Sequence, residues 1–167
     1  MSSIKARQQG RTVICDMPRQ SRTATADPPR RDWETFPHGS DIGVRGFGGS
    51  VAEAFANAAM ALTSVATAPE LVRPRQRVEI ACAAPDREIL LLDWLNQLIT
   101  RMSADRLLFG RYEVEVEHDR LTAVAFGEPI DRARHEPAVE VKGATLTGLR
   151  VARDPDGRWR AECIVDV

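Results

Sequence analysis

One segment limits the fold of this chain more than any other. Arg87 to Ser103, REILLLDWLNQLITRMS, repeats at the helical period and is apolar on almost every side. Leu91, Trp94, Leu95 and Leu98 form a stripe. Ile89, Leu90, Leu92 and Ile99 widen it until little polar face remains, so this helix must be central and heavily buried. Asp93 and Asn96 read as its narrow solvated side. Pro85-Asp86 opens it.

A second helix is expected over about 51–66. Ser50-Val51-Ala52-Glu53 is a capping-box sequence, in which Ser50 accepts from the Glu53 amide and Glu53 reaches back to the Ser50 amide. Phe55, Ala58, Ala59 and Leu62 then share one face, and Pro69 stops the run. Gly46-Phe47-Gly48-Gly49-Ser50 precedes it but lacks the Lys and the spacing of a phosphate-binding loop, which leaves at most a weak anion site at the helix N-terminus.

The remaining segments read as strands. Asp41–Phe47, Arg77–Ala83, Tyr112–Glu117, Leu121–Phe126 and Val139–Lys142 alternate or carry β-formers. His118-Asp119-Arg120 turns the chain, which leaves His118 solvated. Thr145–Val151 and Trp159–Val167 flank the turn sequence Asp154-Pro155-Asp156-Gly157. Strand, helix, strand, helix and then several strands give an α+β two-layer domain. Two main helices pack on a largely antiparallel or mixed sheet. The domain spans 32–167, beginning near Trp33, a length that buries a real core.

Ahead of it, residues 1–31 carry seven Lys/Arg and two Asp/Glu, and no sustained periodicity. They read as a flexible basic extension. The rest holds sixteen Lys/Arg against twenty-two Asp/Glu, so an acidic body follows a basic arm. A net charge of -1 for the whole chain exerts no general pull toward nucleic acid or acidic membranes. Cys15, Cys82 and Cys163 are too few and scattered for a disulfide framework or a zinc knuckle. Cys82 and Cys163 sit in apolar runs as packing residues. With no apolar run of membrane-spanning length and no signal-peptide core, the expected location is the cytoplasm.

Chemistry concentrates in two aspartates. Asp166 ends Cys163-Ile164-Val165-Asp166-Val167, a stretch that otherwise reads as a buried strand, where a carboxylate needs a partner or a metal ion. Asp41 stands in a similar setting in His38-Gly39-Ser40-Asp41-Ile42-Gly43. If the last strand lies beside that segment, the two acids can share a cation; otherwise Asp166 frays into solvent. Two carboxylates with carbonyl oxygens suit Ca²⁺ or Mg²⁺ better than Zn²⁺. Strand alternation puts Glu140 and Lys142 on one face, where Lys142 can balance acidic charge or meet a phosphate. His38 and His135 lie in loops beside carboxylates. There is no Ser-centred nucleophile elbow and no zinc-protease motif.

Several of these motifs, in order, resemble the archease family. They are His38-Gly39-Ser40-Asp41-Ile42-Gly43, the helix from Ala52 to Ala59, Leu92 to Ile99, Leu107-Leu108-Phe109, Gly127 to Asp131, His135-Glu136, Glu140 to Thr145, and the terminal Asp166-Val167. The resemblance covers residues 33–167. It implies an accessory protein of the GTP-dependent RNA ligase of tRNA splicing and RNA repair. Such a protein promotes ligase guanylylation and multiple turnover and touches RNA through the ligase. It further implies a divalent cation, Ca²⁺ before Mg²⁺ or Mn²⁺, held by Asp41, Asp166 and the Val167 main-chain oxygen, with His38, Glu140 and Lys142 as a ligase-activating cluster. The sequence departs from the family pattern at Gly39-Ser40, which is expected to loosen the loop holding Asp41. It departs again at Pro137-Ala138, where a basic residue is lost.

Two other readings compete. In the first, a small metal-dependent phosphoesterase or nuclease uses the Asp pair for Mg²⁺, Lys142 for phosphate charge, and His38 or Glu140 to orient a nucleophile. In the second, the Arg-rich arm binds nucleic acid, beside an acidic body that lacks an aromatic stacking platform.

Overall fold

Residues 31–167 are described by a computed structural model; the extension expected over 1–31 lies outside the described residues but for Arg31. Both long helices form where the periodicity placed them, α1 over Val51–Ala66 and α2 over Arg87–Ala104. A four-residue helical turn, α3, spans Arg132–His135. The strands are β1 (Trp33–His38), β2 (Asp41–Gly48), β3 (Gln76–Ala83), β4 (Leu107–Glu117), β5 (Arg120–Pro129), β6 (Gly143–Ala144), β7 (Arg150–Arg153) and β8 (Trp159–Asp166). The class is α+β, and among the described residues every strand pairing is antiparallel.

The strands divide into two sheets, where the sequence pattern had suggested one. The first runs β1-β2-β8-β6, with β7 also pairing β8; the second runs β3-β5-β4. Local hairpins, β1 with β2 and β4 with β5, follow from their turns. The pairing of β8 with β2 joins segments more than a hundred residues apart, and no local pattern encodes it.

Both helices touch both sheets, and α1 makes the closest approach. Phe55, Ala58, Ala59 and Leu62 are wholly buried. A Cβ on Gly46 would come within 2.1 Å of the Ala58 amide nitrogen and 2.2 Å of the Ala54 carbonyl oxygen, so helix and strand backbones touch through Gly46. At its other end α1 reaches the second sheet. The Thr63 hydroxyl donates to the Phe109 carbonyl at 2.9 Å and lies 2.6 Å from the Tyr112 hydroxyl, all of it buried. The α2 indole of Trp94 donates to the Phe55 carbonyl at 3.2 Å, tying the helices together. As its composition demanded, α2 buries Leu90, Leu91, Trp94, Leu95, Leu98, Ile99 and Met102. No helix among the described residues is long and apolar enough to cross a membrane.

Four local expectations change. Asn96 is not merely on a solvated face: its Oδ1 accepts from the Ala144 amide at 2.9 Å and its Nδ2 donates to the Ala144 carbonyl at 3.3 Å, standing in for the strand that β6 lacks on that side. Val139–Lys142 forms no strand. Pro137 offers no amide, and Glu136 before it takes a left-handed conformation (φ 43°); the segment makes isolated backbone bonds, Ala138 N to Ala66 O at 3.0 Å and Lys142 N to Asp166 O at 2.8 Å, in place of a ladder. Its alternation survives in burial, with Val141 buried and Glu140 and Lys142 exposed. The run Thr145–Val151 is not one strand: the chain turns over 146–148, with Gly148 at φ 60°, and only Arg150 and Val151 of the run enter a strand, β7. The capping box shifts by one: Ser50 Oγ accepts from the Glu53 amide at 3.1 Å, but the Glu53 carboxylate accepts from Gly49, not Ser50, at 2.6 Å. That carboxylate lies beside the helix N-terminus, where its negative charge disfavours an anion. His118 is exposed in its turn, as expected.

The Gly46 seat makes a direct prediction. Gly46→Ala forces the helix off β2 and destabilises the domain by about 2–3 kcal/mol. Denaturant unfolding checks this; a variant as stable as the parent would mean that α1 does not depend on this contact.

Candidate functional site

The β2–β8 register decides where the two aspartates meet. Ile42 pairs with Val165, so one step further Asp41 stands opposite Asp166. Across the hairpin His38 pairs with Asp41, and on the far side Gly143 pairs with Asp166. His38, Asp41, Asp166 and Gly143 thus form one row across the end of the first sheet. Directly opposed residues share a face with Cβ atoms about 4.5–5.5 Å apart. That face is the outer one. Gly46 and Gly48 would drive a Cβ into α1, whereas a Cβ on Gly43 would meet the Phe36 ring, and Asp41 shares the parity of Gly43.

The turn that carries Asp41 is tight, contrary to the loosening expected of Gly39-Ser40. It is a two-residue hairpin turn with His38 paired to Asp41. Gly39 supplies a φ of 62° at the first central position, where such turns require it. Asp166 also differs from expectation. Cys163, Ile164 and Val165 are buried, but the Asp166 side chain is exposed, because it leaves the core on the outer face at the sheet's end. It does not fray: its carbonyl accepts from the Lys142 amide at 2.8 Å.

Among the described residues, neither aspartate carboxylate makes a hydrogen bond or an ion pair. Two like charges facing each other across a strand pair repel, and a cation relieves that repulsion. Apart from the His38 imidazole, the nearby donors are oxygens, the two carboxylates and the Val167 main-chain oxygen, a set that fits a hard divalent cation. No three His, Cys, Asp or Glu side chains converge on such a position among the described residues, so the main-chain oxygen is needed to complete it. That oxygen already accepts from the Lys142 ammonium at 3.0 Å. A cation that took the same oxygen would sit beside the Lys142 ammonium. Glu140 lies apart from the row. It lines a neighbouring cavity with Arg106 and Arg132.

His135 is not in an open loop. It is the last residue of α3 and 1% exposed. Its Nδ1 accepts from the Asp131 amide at 2.9 Å, so the ring proton lies on Nε2, which donates to Glu128 at 3.1 Å. Glu128, 2% exposed at the end of β5, also accepts from Arg134 Nη1 and from the Arg73 amide, each at 2.7 Å. The Arg134 hydrogen bond above all, then the Arg73 amide and His135, hold the Glu128 carboxyl down at about 2, against the opposing effect of burial. Isolated charged residues in a sequence carry no signal for such a network; only proximity in the fold assembles it. Cys163 is the packing residue expected: burial pushes its thiol up to about 11, and its Sγ donates to the Thr145 carbonyl at 3.1 Å. Cys82 is half-buried and unpaired, and Cys15 lies outside the described residues.

Two antiparallel sheets sharing a pair of helices, with two carboxylates that have no partner among the described residues beside Val167 at one sheet end, define a small α+β domain with an open, oxygen-rich end. Residues 33–167 match the Archease protein family (MTH1598/TM1083), and the chain belongs to that family. It is 38% identical over 141 residues to protein archease of Thermococcus gammatolerans, covering 82% of this chain and 99% of that one. It is 35% identical over 141 residues, with the same coverage, to protein archease of Pyrococcus furiosus. The solution structure of protein 1598 of Methanobacterium thermoautotrophicum superposes with a TM-score of 0.72 at 31% identity, covering 81% of this chain and 99% of that one. The crystal structure of an archease of Thermotoga maritima, described as a possible chaperone, shares the fold with a TM-score of 0.55 at 16% identity, covering 80% and 96%.

The buried network predicts a pH response. The Glu128 carboxyl is held below its ordinary value, so its stabilisation is fully present above pH about 4.5 and is lost as pH falls toward about 2. Glu128→Ala costs about 3 kcal/mol at neutral pH and removes that acid-range dependence. Thermal unfolding from pH 2 to 7 tests it; an unchanged slope in the variant would assign the acid sensitivity to other groups.

Proposed function

We propose that this protein is an accessory of a GTP-dependent RNA ligase, the enzyme that joins 2′,3′-cyclic phosphate ends to 5′-hydroxyl ends. It promotes ligase guanylylation and multiple turnover without catalysing a reaction itself. The observation that carries this reading is the Asp41–Asp166 row, half-buried at Asp41 and exposed at Asp166, without a partner among the described residues, and bordered by the Lys142 ammonium on the Val167 oxygen. Family membership supports it, as does the description of the Thermotoga maritima relative as a possible chaperone, which is a role toward another protein.

Each residue has a part in this reading. Asp41, Asp166 and the Val167 oxygen hold a divalent cation, Ca²⁺ before Mg²⁺ or Mn²⁺. When bound, that cation supplies positive charge at a surface otherwise dominated by carboxylates. Lys142 holds the C-terminal oxygen in place and shields the carboxylates when no metal is there. His38, opposite Asp41, presents an imidazole on the same exposed end. Glu140 belongs to the adjoining surface and acts on the ligase from there. The site serves in the cytoplasm, and RNA reaches it through the ligase.

Multiple-turnover RNA ligation tests the proposal. The wild-type chain is expected to raise turnover of the cognate ligase at least tenfold, and Asp166→Ala to lose most of that stimulation. If the wild type does nothing, the accessory role fails. Hydrolysis of RNA by the isolated protein with Mg²⁺ or Mn²⁺ would then favour a metal-dependent phosphoesterase, with His38 orienting the nucleophile.

Lys142 offers a separate test. Removing a unit charge about 4 Å from a divalent cation in a water-like medium is worth about 2 kcal/mol, so Lys142→Met is expected to tighten Ca²⁺ binding about thirtyfold in low-salt calorimetry. Unchanged or weaker affinity would show that the lysine and the cation do not compete.

A further inference from the structure

A cavity of about 260 Å³ opens beside the acidic row, between the end of α2, the turn from β5 into α3, and the extended segment 137–141. Its floor is apolar, with Met102, Leu108 and Ile130. Its rim carries two guanidinium groups, Arg106 and Arg132, and among the described residues neither forms an ion pair. Arg134, two residues from Arg132, is by contrast committed to Glu128. The position of Arg106 is imposed. It follows the C-cap of α2 with φ 53°, a conformation that favours glycine at the end of a helix. Its carbonyl accepts from the Ile130 amide at 2.9 Å, which ties it to the cavity's far wall.

We propose that this cavity receives an acidic segment of the partner protein, with one apolar side chain on the floor and carboxylates against Arg106 and Arg132. The proposal deepens the accessory role and rests on it. Three observations select this occupant. Two unpartnered guanidinium groups over an apolar floor are the anatomy of a protein–protein hot spot, and the matching chemistry is an apolar anchor flanked by negative charge. The volume falls below the roughly 300–1,000 Å³ of small-molecule sites, which suits one inserted side chain better than a nucleotide. RNA is disfavoured because no aromatic ring lines the cavity to stack a base. The segment from Glu140 on the cavity wall to Lys142 at the chain terminus is two residues long, so one partner covers cavity and acidic row together.

The experiment is calorimetric titration of the purified cognate ligase into the full chain at two salt concentrations. Three proteins are compared: wild type, the double variant Arg106→Glu/Arg132→Glu, and Ala138→Phe, which plugs the cavity and keeps its charges. Arg106, Arg132 and Ala138 are all exposed, and unfolding midpoints verify that the variants fold. Both variants are expected to bind the ligase at least tenfold more weakly, and the charge reversal to flatten the salt dependence seen with the wild type. Wild-type affinity in both variants overturns the cavity as the contact while leaving the accessory role intact. A wild type that binds no ligase overturns the accessory role and this occupant with it. If the charge reversal abolishes binding of a single-stranded RNA oligonucleotide but leaves ligase binding unchanged, the cavity belongs to nucleic acid and the proposal is overturned.

Discussion

The pairing of β8 with β2 is the contact on which the rest of the site depends. It closes the first sheet, gives α1 a surface to pack on, and sets Asp41 opposite Asp166. Because side chains alternate along a strand, a slip of one residue would turn Asp166 inward and Val165 outward. The buried Cys163 and Val165 on one side and the Arg45–Glu162 ion pair on the other hold the register against such a slip. Gly46, under α1, lets the sheet and helix meet closely enough for that inner face to be dry.

The outer face of the same sheet treats its charges in two ways. In mid-sheet Arg45 lies between Glu34 and Glu162, with Nε 2.6 Å from Glu162, and its guanidinium stacks on Phe36 at 4.4 Å. Phe36 in turn covers Gly43. Every charge there has its complement nearby. One step beyond Gly43, Asp41 and Asp166 have none among the described residues. The compensated charges belong to the fold, and the uncompensated pair is the feature on which the proposed cation site rests.

A similar division separates two basic residues of α3. Arg134 is joined to a buried carboxylate with a histidine and a backbone amide, an arrangement that anchors the helical turn to β5. Arg132 points to the cavity without such a partner. The anchor explains why a four-residue helix can hold a rigid wall: Glu128 and His135 are buried and satisfied, so the turn does not depend on helix propensity.

Much of this fold was legible in the chain. The extents of α1 and α2, the apolar faces of both, the turn at His118 and the α+β class follow from spacing and caps, which are local properties of neighbouring residues. The two aspartates were also visible, since a carboxylate at the end of a Val/Ile run stands out. What sequence alone left undecided is long-range. It concerns the division into two sheets, the absence of a strand at Val139–Lys142, the role of Asn96 as a substitute strand partner, and the Glu128–His135 network. Each depends on which distant segments meet, and a contact between residues far apart in the chain is set by the packing of the whole core, with no trace in the residues on either side. The chain by itself determined which segments are helices and strands and which carboxylates stand out. Only the tertiary structure decided that Asp41 and Asp166 share a row, because that needed one register across a hundred intervening residues.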